Sequence, residues 1–497
     1  MSTIPRGLLN FPGSTPESKD TLLRLIKEDY EAHHCYFHPN GYHNHLNHHL
    51  FAVYDLGASA SLLQAVYDME KKMLWPIDLG KPDITPKPGQ IDQNNWTQWL
   101  GDVDAYAAYL AFFTKQLEAN GVKATLQQYI FSPAANESGI HMMSRFYSGL
   151  LHPFIELGFG LEFGETKAVA IGLAHTALHA PAALEISPPG WPYNEHAPTS
   201  PNSKSPSLLS LLHEIYQCDD LAPLMPYTPD LDADRADVIA ADKKKAAALN
   251  AICSKWAPGA GDAKEVDFSP YVQECIVLGT LLLAATSKRG HRTRIDFFLM
   301  HAVTSALLLP PILDALPADD NVMRGAILDA WWRNFALYII ARGRPRIDPE
   351  LLMEATAYPH PPSAAKRQLS EYAVGLGAVE VDPNPWLEIT TDVMYAIDPH
   401  NIKVIRALMY GARAYGSLST DAFVRPGEED LHPGAGKLDG TMFIRAAGLV
   451  MDALGWVTHG QKAEEFDRSS LGYDEAWEDG GDTSANMGWV KFVRGLQ

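Results

Sequence analysis

The sequence predicts an all-α protein, a large multi-helix globule with a buried, histidine-lined central cavity. Apolar side chains recur at the three- and four-residue spacing of amphipathic helices, and alternating strand patterns are scarce. Pro- and Gly-rich connections separate the helical stretches. Seven histidines lie in the short run from His33 to His49, which leads directly into an apolar helix. Because imidazole binds divalent metals and moves protons near neutral pH, this run indicates a functional site.

The order of the elements follows from helical periodicity and from helix start signals. An amphipathic helix is predicted over 18–32, and a long buried helix over 45–68. Asp398 and Pro399 are residue types that favour the N-cap and the first helical position, so another helix begins there. The remaining predicted helices span 104–120, 124–130, 144–157, 165–179, 207–217, 270–286, 294–309, 321–342, 349–355, 363–374, 399–416 and 441–455.

The chain is predicted to form a single domain over 1–497. Its 497 residues are 46% apolar, which is enough for one large domain or two fused ones. An alternative organisation has two halves, about 1–220 and 221–497, that share one core. No fixed-period repeat is present, so a solenoid is not expected. The proline-rich segment 180–206 is too long for a simple connector and is predicted to form a lid or rim of the active site.

Charge and cysteine usage restrict the class of partner. The net charge is −20, and no basic run exceeds the three lysines at 243–245, so nucleic acid and anionic membranes are not expected partners. The N-terminus lacks a secretory apolar region, and the longest apolar run, 275–286, is too short for a membrane span. Four scattered cysteines indicate reduced thiols. These features predict a soluble, cytoplasmic protein.

Three histidine-containing pairs recur at helical spacing. His45 and His49 are four residues apart at a helix start, so both would face one way and could bind a metal or grip a substrate. His175 and His179 repeat this spacing in an apolar helix, with His179 favoured as the functional member. His152 and Glu156 could complete a mixed imidazole–carboxylate shell. For the first two pairs the alternative is a structural histidine that hydrogen-bonds to the protein, and for the third it is a surface carboxylate beside a helix-start histidine.

Two further helices carry candidate residues. His301 lies in an apolar stretch that begins near Asp296, so it is either a hydrogen-bonded core histidine or a group facing a shared cavity. His400, Lys403 and Arg406 recur every three residues and form a polar stripe on an apolar helix. A lysine there binds a metal only if it is neutral or carbamylated, and as an ammonium it would stabilise an anion. The alternative is a solvated face.

Several enzyme classes lack their signatures in this chain. No GxSxG nucleophile elbow, GxxxxGK[ST] phosphate loop or HExxH zinc helix is present. Gly158 and Gly160 follow a helical stretch rather than a strand, so they do not form a dinucleotide fingerprint and more simply allow two backbones to approach closely. The sequence motifs of flavin-dependent Baeyer–Villiger monooxygenases are also absent.

Four stretches together resemble the fungal questin oxidase-like family. They are, in chain order, GYHNHLNHHLFAVYDLGAS, GLLHPFIELGFGLEFG, IDFFLMHAVTSALLLP and DPHNIKVIRAL. The resemblance implies an oxidoreductase that consumes O2 and opens the ring of an anthraquinone by Baeyer–Villiger-type oxidation in aromatic polyketide biosynthesis. For the cofactor it implies NADPH-dependent, cofactor-free or non-haem Fe(II) versions. The absence of flavin motifs predicts no flavin, and the scarcity of nucleotide-binding elements favours NADPH acting through a partner reductase.

The resemblance and the spacing together define the predicted site. The expected catalytic residues are His45, His49, His301, Lys403 and Arg406. The expected iron ligands are His49, His152, Glu156, His179, His400 and Lys403. Many relatives are expected to carry a histidine where this chain has Glu156, which reads HPFIE rather than HPxIH. A carboxylate can still bind Fe(II), but its presence also fits a member that has lost its metal.

The predicted chemistry starts from a flat aromatic polyketide bound between helices. A histidine would deprotonate a substrate phenol, the electron-rich product would react with O2, and Lys403 or Arg406 would stabilise the resulting oxyanion. An alternative is a metal-dependent hydrolase of an aromatic ester or lactone that uses the same histidines with zinc. A third hypothesis is a non-catalytic carrier that shields a pigment precursor.

Overall fold

The computed structural model describes residues 7–38, 42–78, 85–188, 190–193, 205–228, 232–259, 264–362, 370–372, 374 and 384–480. Within these ranges the regular secondary-structure elements are helices, apart from a two-stranded antiparallel sheet in which Tyr36 pairs with His43. The predicted all-α class is therefore confirmed. None of the helices in the described part of the chain combines the length and the hydrophobicity that a membrane span requires.

The helices and the two strands follow one another along the whole described chain. The helices are α1 (Pro16–Ala32), α2 (Leu46–Asp55), α3 (Ala60–Glu70), α4 (Tyr106–Asn120), α5 (Val122–Leu126), α6 (Met142–Phe146), α7 (Ser148–Phe163), α8 (Thr166–Leu178), α9 (Leu208–Gln217), α10 (Asp232–Ala241), α11 (Lys243–Cys253), α12 (Ser269–Ala284), α13 (Met300–Ala306), α14 (Leu309–Asp314), α15 (Asn321–Ala341), α16 (Pro349–Glu354), α17 (Pro385–Val393), α18 (Pro399–Tyr415) and α19 (Met442–Leu454). The strands are β1 (Tyr36–His38) and β2 (Tyr42–His43).

The prediction of one long helix over 45–68 is wrong, because this stretch forms two separate helices, α2 and α3. Gly57 has a φ of +92°, and a Cβ on it would lie 2.7 Å from the Pro12 carbonyl oxygen. Only glycine fits this close approach in the left-handed region. Ser59 then caps α3 by accepting a hydrogen bond from the Leu62 N–H. The break turns α3 so that it packs beside α2 and α1.

The stretch predicted as one helix over 144–157 also divides, into α6 and α7. Gly149, Leu150 and Leu151 have φ values of 56°, 55° and 63°, which is the left-handed region that leucine rarely adopts. The regular part of α7 begins after this turn, directly at His152. Such strain occurs where surrounding structure imposes it, often at a functional site.

Other predicted boundaries differ for local reasons. The helix predicted over 294–309 begins only at Met300, because the Asp296 carboxylate accepts hydrogen bonds from the Phe298 and Leu299 N–H groups and ends the preceding extended segment. The sequence analysis missed α10, α11 and α17. The helix predicted over 363–374 lies largely outside the described residues, as does much of the segment 180–206.

One hydrophobic cluster extends through the described chain from Leu9 to Phe466. Helices α7 and α8 pack closely at Gly160, where any larger residue would place its Cβ only 2.6 Å from the Val169 backbone nitrogen. The close-approach prediction for this glycine is therefore confirmed. Gly158 instead contacts the Leu308 side chain. Helices α2, α7, α13 and α18 pack against one another and surround a polar region in this core. The single-domain organisation, with its two-half alternative, stays a prediction.

Candidate active site

Eight histidines from six elements form one cluster inside the core. Neighbouring ring centroids lie 3.9–5.6 Å apart, so every ring contacts at least one other. Seven of the eight are buried, and His179 is partly buried. The members of this histidine cluster are His43 of β2, His45 and His48 of α2, His152 of α7, His175 and His179 of α8, His301 of α13 and His400 of α18.

Three members, His45, His152 and His400, form what we name the first group. Each offers a ligand atom, and these atoms all lie within 4.8 Å of one another. The Nε2 atoms of His45 and His152 are 2.9 Å apart, and the His45 and His400 ring centroids are 4.6 Å apart. The group arises where the start of α2 meets α7 and α18. Three converging imidazoles of this kind could hold a divalent metal.

In three of the imidazoles, the Nδ1 atom makes a hydrogen bond to an oxygen atom of the protein. The Nδ1–H groups donate from His152 to the Gly149 carbonyl (2.6 Å), from His301 to the Phe297 carbonyl (2.9 Å) and from His400 to Asp398 Oδ1 (2.7 Å). A neutral ring that donates from Nδ1 keeps a lone pair on Nε2. Carbonyl or carboxylate support of this kind is typical of histidines that bind metals or accept protons.

Lys403 lies on α18, one turn after His400, and is buried. Its Nζ atom has no hydrogen-bond partner among the described residues. Burial lowers the pKa of Lys403 to about 7. Its charge in turn lowers the pKa of His45, His48 and His400, although burial is the larger cause for each. A buried amine without a partner is costly, so it marks a position where a ligand or modification belongs.

The predicted pair of His45 and His49 separates. His45 enters the first group, whereas the His49 Nδ1 atom lies 2.5 Å from Glu70 Oε1 on α3. His49 Nε2 has no hydrogen-bond partner within the described chain. The difference arises because His45 stands at the N-cap, outside the regular turn of α2. Their spacing of four therefore does not give a shared direction.

Glu156 supports α2. Its Oε2 atom lies 2.8 Å from His48 Nε2, and its Oε1 atom accepts a hydrogen bond of 2.9 Å from the Asn47 amide. Burial raises the pKa of Glu156 to about 8, so the side chain is largely protonated at neutral pH. Glu156 belongs to neither of the two three-histidine groups found in the described residues.

Three other histidines, His43, His175 and His179, form what we name the second group. Their ligand atoms also lie within 4.8 Å of one another. His179 Nε2 is 3.2 Å from the Nε2 atoms of both His43 and His175, and 3.1 Å from the Tyr36 hydroxyl. The two groups touch, because the His43 ring stacks on His152 at 3.9 Å.

The interior holds these imidazoles in their neutral form. Burial lowers the pKa of His152 to about 3 and of His179 to about 4. It also lowers the pKa of the other six members well below the ordinary value, with repulsion from neighbouring cations as a smaller cause. Neutral imidazole is the form that binds a metal or accepts a proton.

Arg406 has a different environment. Its Nε donates to Asp55 Oδ2 at 2.8 Å, and a second guanidinium nitrogen pairs with Glu162. The guanidinium also lies over the Phe159 ring, 5.3 Å from its centroid. Arg406 is therefore a buried cation paired with two carboxylates. Its predicted role in stabilising an oxyanion stays a prediction.

The structure thus distributes the predicted ligands. His152 and His400 lie in the first group, His179 lies in the second, and Glu156 and His49 pair elsewhere. The predicted set did not include three members of the cluster, namely His43, His48 and His175. The density of histidines in 33–49 was a signal for His43 and His48, but their partners could be found only from the packing of α7 and α8 on the β1–β2 hairpin.

The chain also matches known proteins over this region. A family model described as questin oxidase-like matches residues 42–408, which contain the whole cluster and Lys403. A questin oxidase of Aspergillus fumigatus is 26% identical over 470 residues, covering 91% of this chain and 92% of that protein. The oxidoreductase AflY of Aspergillus parasiticus is 26% identical over 395 residues (79% and 72% covered), and the Baeyer-Villiger oxidase AgnL3 of Paecilomyces divaricatus is 27% identical over 334 residues (66% and 70%). The chain belongs to the questin oxidase-like family and is an oxidoreductase.

Proposed function

We propose that this protein uses O2 to insert one oxygen atom into the ring of an anthraquinone, or its reduced hydroquinone, and that hydrolysis of the resulting lactone by water opens that ring. The observation that carries this proposal is the buried Lys403 amine, which has no hydrogen-bond partner within the described chain and is near enough to His301, whose Nε2 atom also has none, to add to the lowering of its pKa by burial. The names of the relatives, questin oxidase and Baeyer-Villiger oxidase, support the same reaction class. None of these names supports the hydrolase alternative.

The reaction has a defined electron balance. One atom of O2 enters the bond between a carbonyl carbon and its ring neighbour, and the other atom leaves as water. That reduction consumes two electrons and two protons, which the hydroquinone form of the substrate can supply. We therefore assign NADPH to a partner reductase that prepares the reduced substrate, and not to this chain.

The first group fits a non-haem Fe(II) ion. His45, His152 and His400 would hold it, since their ligand atoms converge and two of the rings are fixed through Nδ1. The unpartnered Lys403 amine lies beside them and can act as a further ligand or as a cation facing the substrate. Bound iron would supply the one-electron chemistry that ground-state O2 requires.

The residues around the first group have separate roles. His301 keeps an Nε2 lone pair that has no partner in the described residues, so it can accept the proton of a substrate phenol. Lys403, as an ammonium, donates hydrogen bonds to the phenolate or oxyanion that forms. Phe297 lies 5.2 Å from His301 and 5.1 Å from His400, and the Arg468 guanidinium lies 3.5 Å from its ring centroid, so this ring contributes to the apolar wall of the site rather than an open stacking face.

The test measures O2 uptake by the purified, tag-free protein with a chemically reduced anthraquinone. We expect uptake above the spontaneous rate, loss of uptake on chelation, recovery with Fe(II), and one oxygen atom from ¹⁸O2 in the ring-opened product. Turnover of an aromatic ester or lactone without O2 would favour a hydrolase. Tight ligand binding without turnover, with metal and reductant present, would favour a carrier. Uptake that survives chelation would keep the oxidase function and remove the iron.

A further inference from the structure

The second group has a geometry that hydrogen bonding alone cannot explain. Three polar atoms, the Nε2 atoms of His43 and His175 and the Tyr36 hydroxyl oxygen, lie 3.1–3.2 Å from the single Nε2 atom of His179. An imidazole nitrogen has one in-plane position, which holds either a proton or a lone pair. It can therefore satisfy one of the three neighbours, and the other two remain in unfavourable contact inside the protein.

A cation between these atoms removes the conflict. Zinc binds imidazole nitrogen at about 2.0–2.1 Å, so two such ligands in a tetrahedral site are about 3.3–3.4 Å apart. Both Nε2 separations from His179 are 3.2 Å, close to this value. The Tyr36 hydroxyl oxygen lies at a similar distance from His179 Nε2 and could serve as a fourth ligand. The donor set of three imidazoles and one oxygen suits a borderline cation.

The surrounding chain is built to leave room for this convergence. Gly149 has a φ of +56°, and a Cβ on it would lie 2.4 Å from His179 Cε1 and 2.9 Å from His43 Nε2. A glycine is thus required for the two rings to approach. The backbone at His179 is held by Arg145, which donates to its carbonyl, and the Ser148 hydroxyl donates to the Ala180 carbonyl at 2.8 Å. The strained turn before His152 serves the second group as well as the first.

We propose that His43, His175 and His179 form a second metal site, which binds Zn²⁺ or a similar divalent cation with Tyr36 or a water molecule as the fourth ligand. The site joins the β1–β2 hairpin to the end of α8. Because the His43 ring stacks on the His152 ring, a cation bound to His43 also restrains the position of His152 in the first group. This inference goes beyond the proposed function and does not depend on iron in the first group.

The first test compares metal content. Protein stripped with a chelator is loaded with Zn²⁺, dialysed and analysed by plasma mass spectrometry. The double variant His175→Ala/His179→Ala should contain one zinc per chain fewer than the wild type. The variant His152→Ala/His400→Ala should keep the second-site zinc, whatever the first group binds, and exposed His291→Ala is the matched control. Equal zinc in the wild type and in a folded His175→Ala/His179→Ala variant would overturn the proposal.

The second test needs no variant and so does not depend on mutant folding. Crystals of the Zn²⁺-loaded wild-type protein are measured at the zinc absorption edge. We expect an anomalous difference peak between the three Nε2 atoms and the Tyr36 hydroxyl. Absence of that peak would overturn the proposal. A peak only at His45, His152 and His400 would do so too, while leaving the proposed function in place.

Discussion

Lys403 and Arg406 lie one turn apart on α18, and both are buried. Arg406 meets two carboxylates, Asp55 and Glu162. Lys403 Nζ has no hydrogen-bond partner in the described chain, and burial lowers its pKa more than the nearby carboxylates, Asp398 first among them, raise it. Two basic side chains on one helix thus have opposite environments. Arg406 is paired with two carboxylates, whereas the Lys403 amine has no hydrogen-bond partner in the described chain.

The difference shows how a buried charge can be assigned to stability or to chemistry. An ion pair with its partners in place holds elements together, and its loss leaves uncompensated charges. An amine left unpaired adds nothing to the stability of the folded chain, so it is retained for something that binds beside it. His301 of the histidine cluster belongs to the second kind, since its Nε2 atom has no hydrogen-bond partner in the described chain.

The largest expected effect is the loss of stability of the metal-free protein in acid. The pKa of His152 is about 3 and that of His179 about 4, below the ordinary 6.5, so only the unfolded chain takes up these protons as the pH falls below 6.5. The two residues together should cost about 4–5 kcal/mol from pH 6.5 to 4.5. Glu156 and Asp296, whose pKa burial raises to about 8, and Asp398, raised to about 6, have the opposite sign. Urea unfolding of the wild type and of His152→Gln/His179→Gln at pH 4.5–8 isolates the histidine contribution, and a stability difference that does not change with pH would contradict it.

The next effect is on the completed network. Arg406→Met leaves Asp55 and Glu162 buried without their cation, and should lower the free energy of unfolding by about 3–5 kcal/mol. Chemical denaturation at pH 7 measures the change, with exposed Arg24→Met as the control. The activity per folded molecule should change little. A variant as stable as the wild type would show that this network is not what holds α18 in place.

Lys403→Met should have the reverse effect. Turnover should fall about 100- to 1000-fold, which corresponds to about 3–4 kcal/mol of lost transition-state stabilisation. The free energy of unfolding should stay equal or rise, because no carboxylate loses a hydrogen bond from the Lys403 amine. O2 uptake and thermal unfolding, measured on one preparation, report both quantities. Exposed Lys437→Met is the matched control, since its amine pairs only with Glu350 at the surface.

Glu156→Gln should have the smallest effect. The pKa of Glu156 is about 8, so a neutral amide resembles the protonated acid that is present at pH 7. We expect a change of less than about 1 kcal/mol in stability and iron content equal to that of the wild type. Glu156→Leu, which leaves Asn47 and His48 without this partner, is the contrasting variant. Loss of iron from Glu156→Gln would restore Glu156 as a ligand, as the sequence analysis predicted.

Much of the helical framework could be predicted from the sequence. Periodicity located most helices, and Asp398 with Pro399 marked the start of α18, where the Asp398 carboxylate accepts from the His400 N–H. The split at Gly57 could not be found from periodicity, because it depends on the approach of the distant residue Pro12. The left-handed conformation at 149–151 is imposed by packing against the histidines, and leucine gives no local signal for it.

The candidate site could be predicted in its residue types but not in its grouping. Histidine density and spacing identified most of the ring set. The spacing rule failed for His45 and His49 because one lies at a helix cap. Arg406 looked equivalent to Lys403 along the polar stripe, and its partners lie 351 and 244 residues away in sequence. Which of the two cations is satisfied depends on tertiary contacts, so no local pattern could separate them.

The most direct test of the central claim compares Lys403→Met and Arg406→Met in one O2-uptake assay with a reduced anthraquinone, each rate divided by the folded fraction. The account predicts that Lys403→Met is stable and nearly inactive, whereas Arg406→Met is destabilised and active per folded molecule. Wild-type uptake in Lys403→Met, with loss of activity confined to Arg406→Met, would contradict it and move the active site away from the histidine cluster.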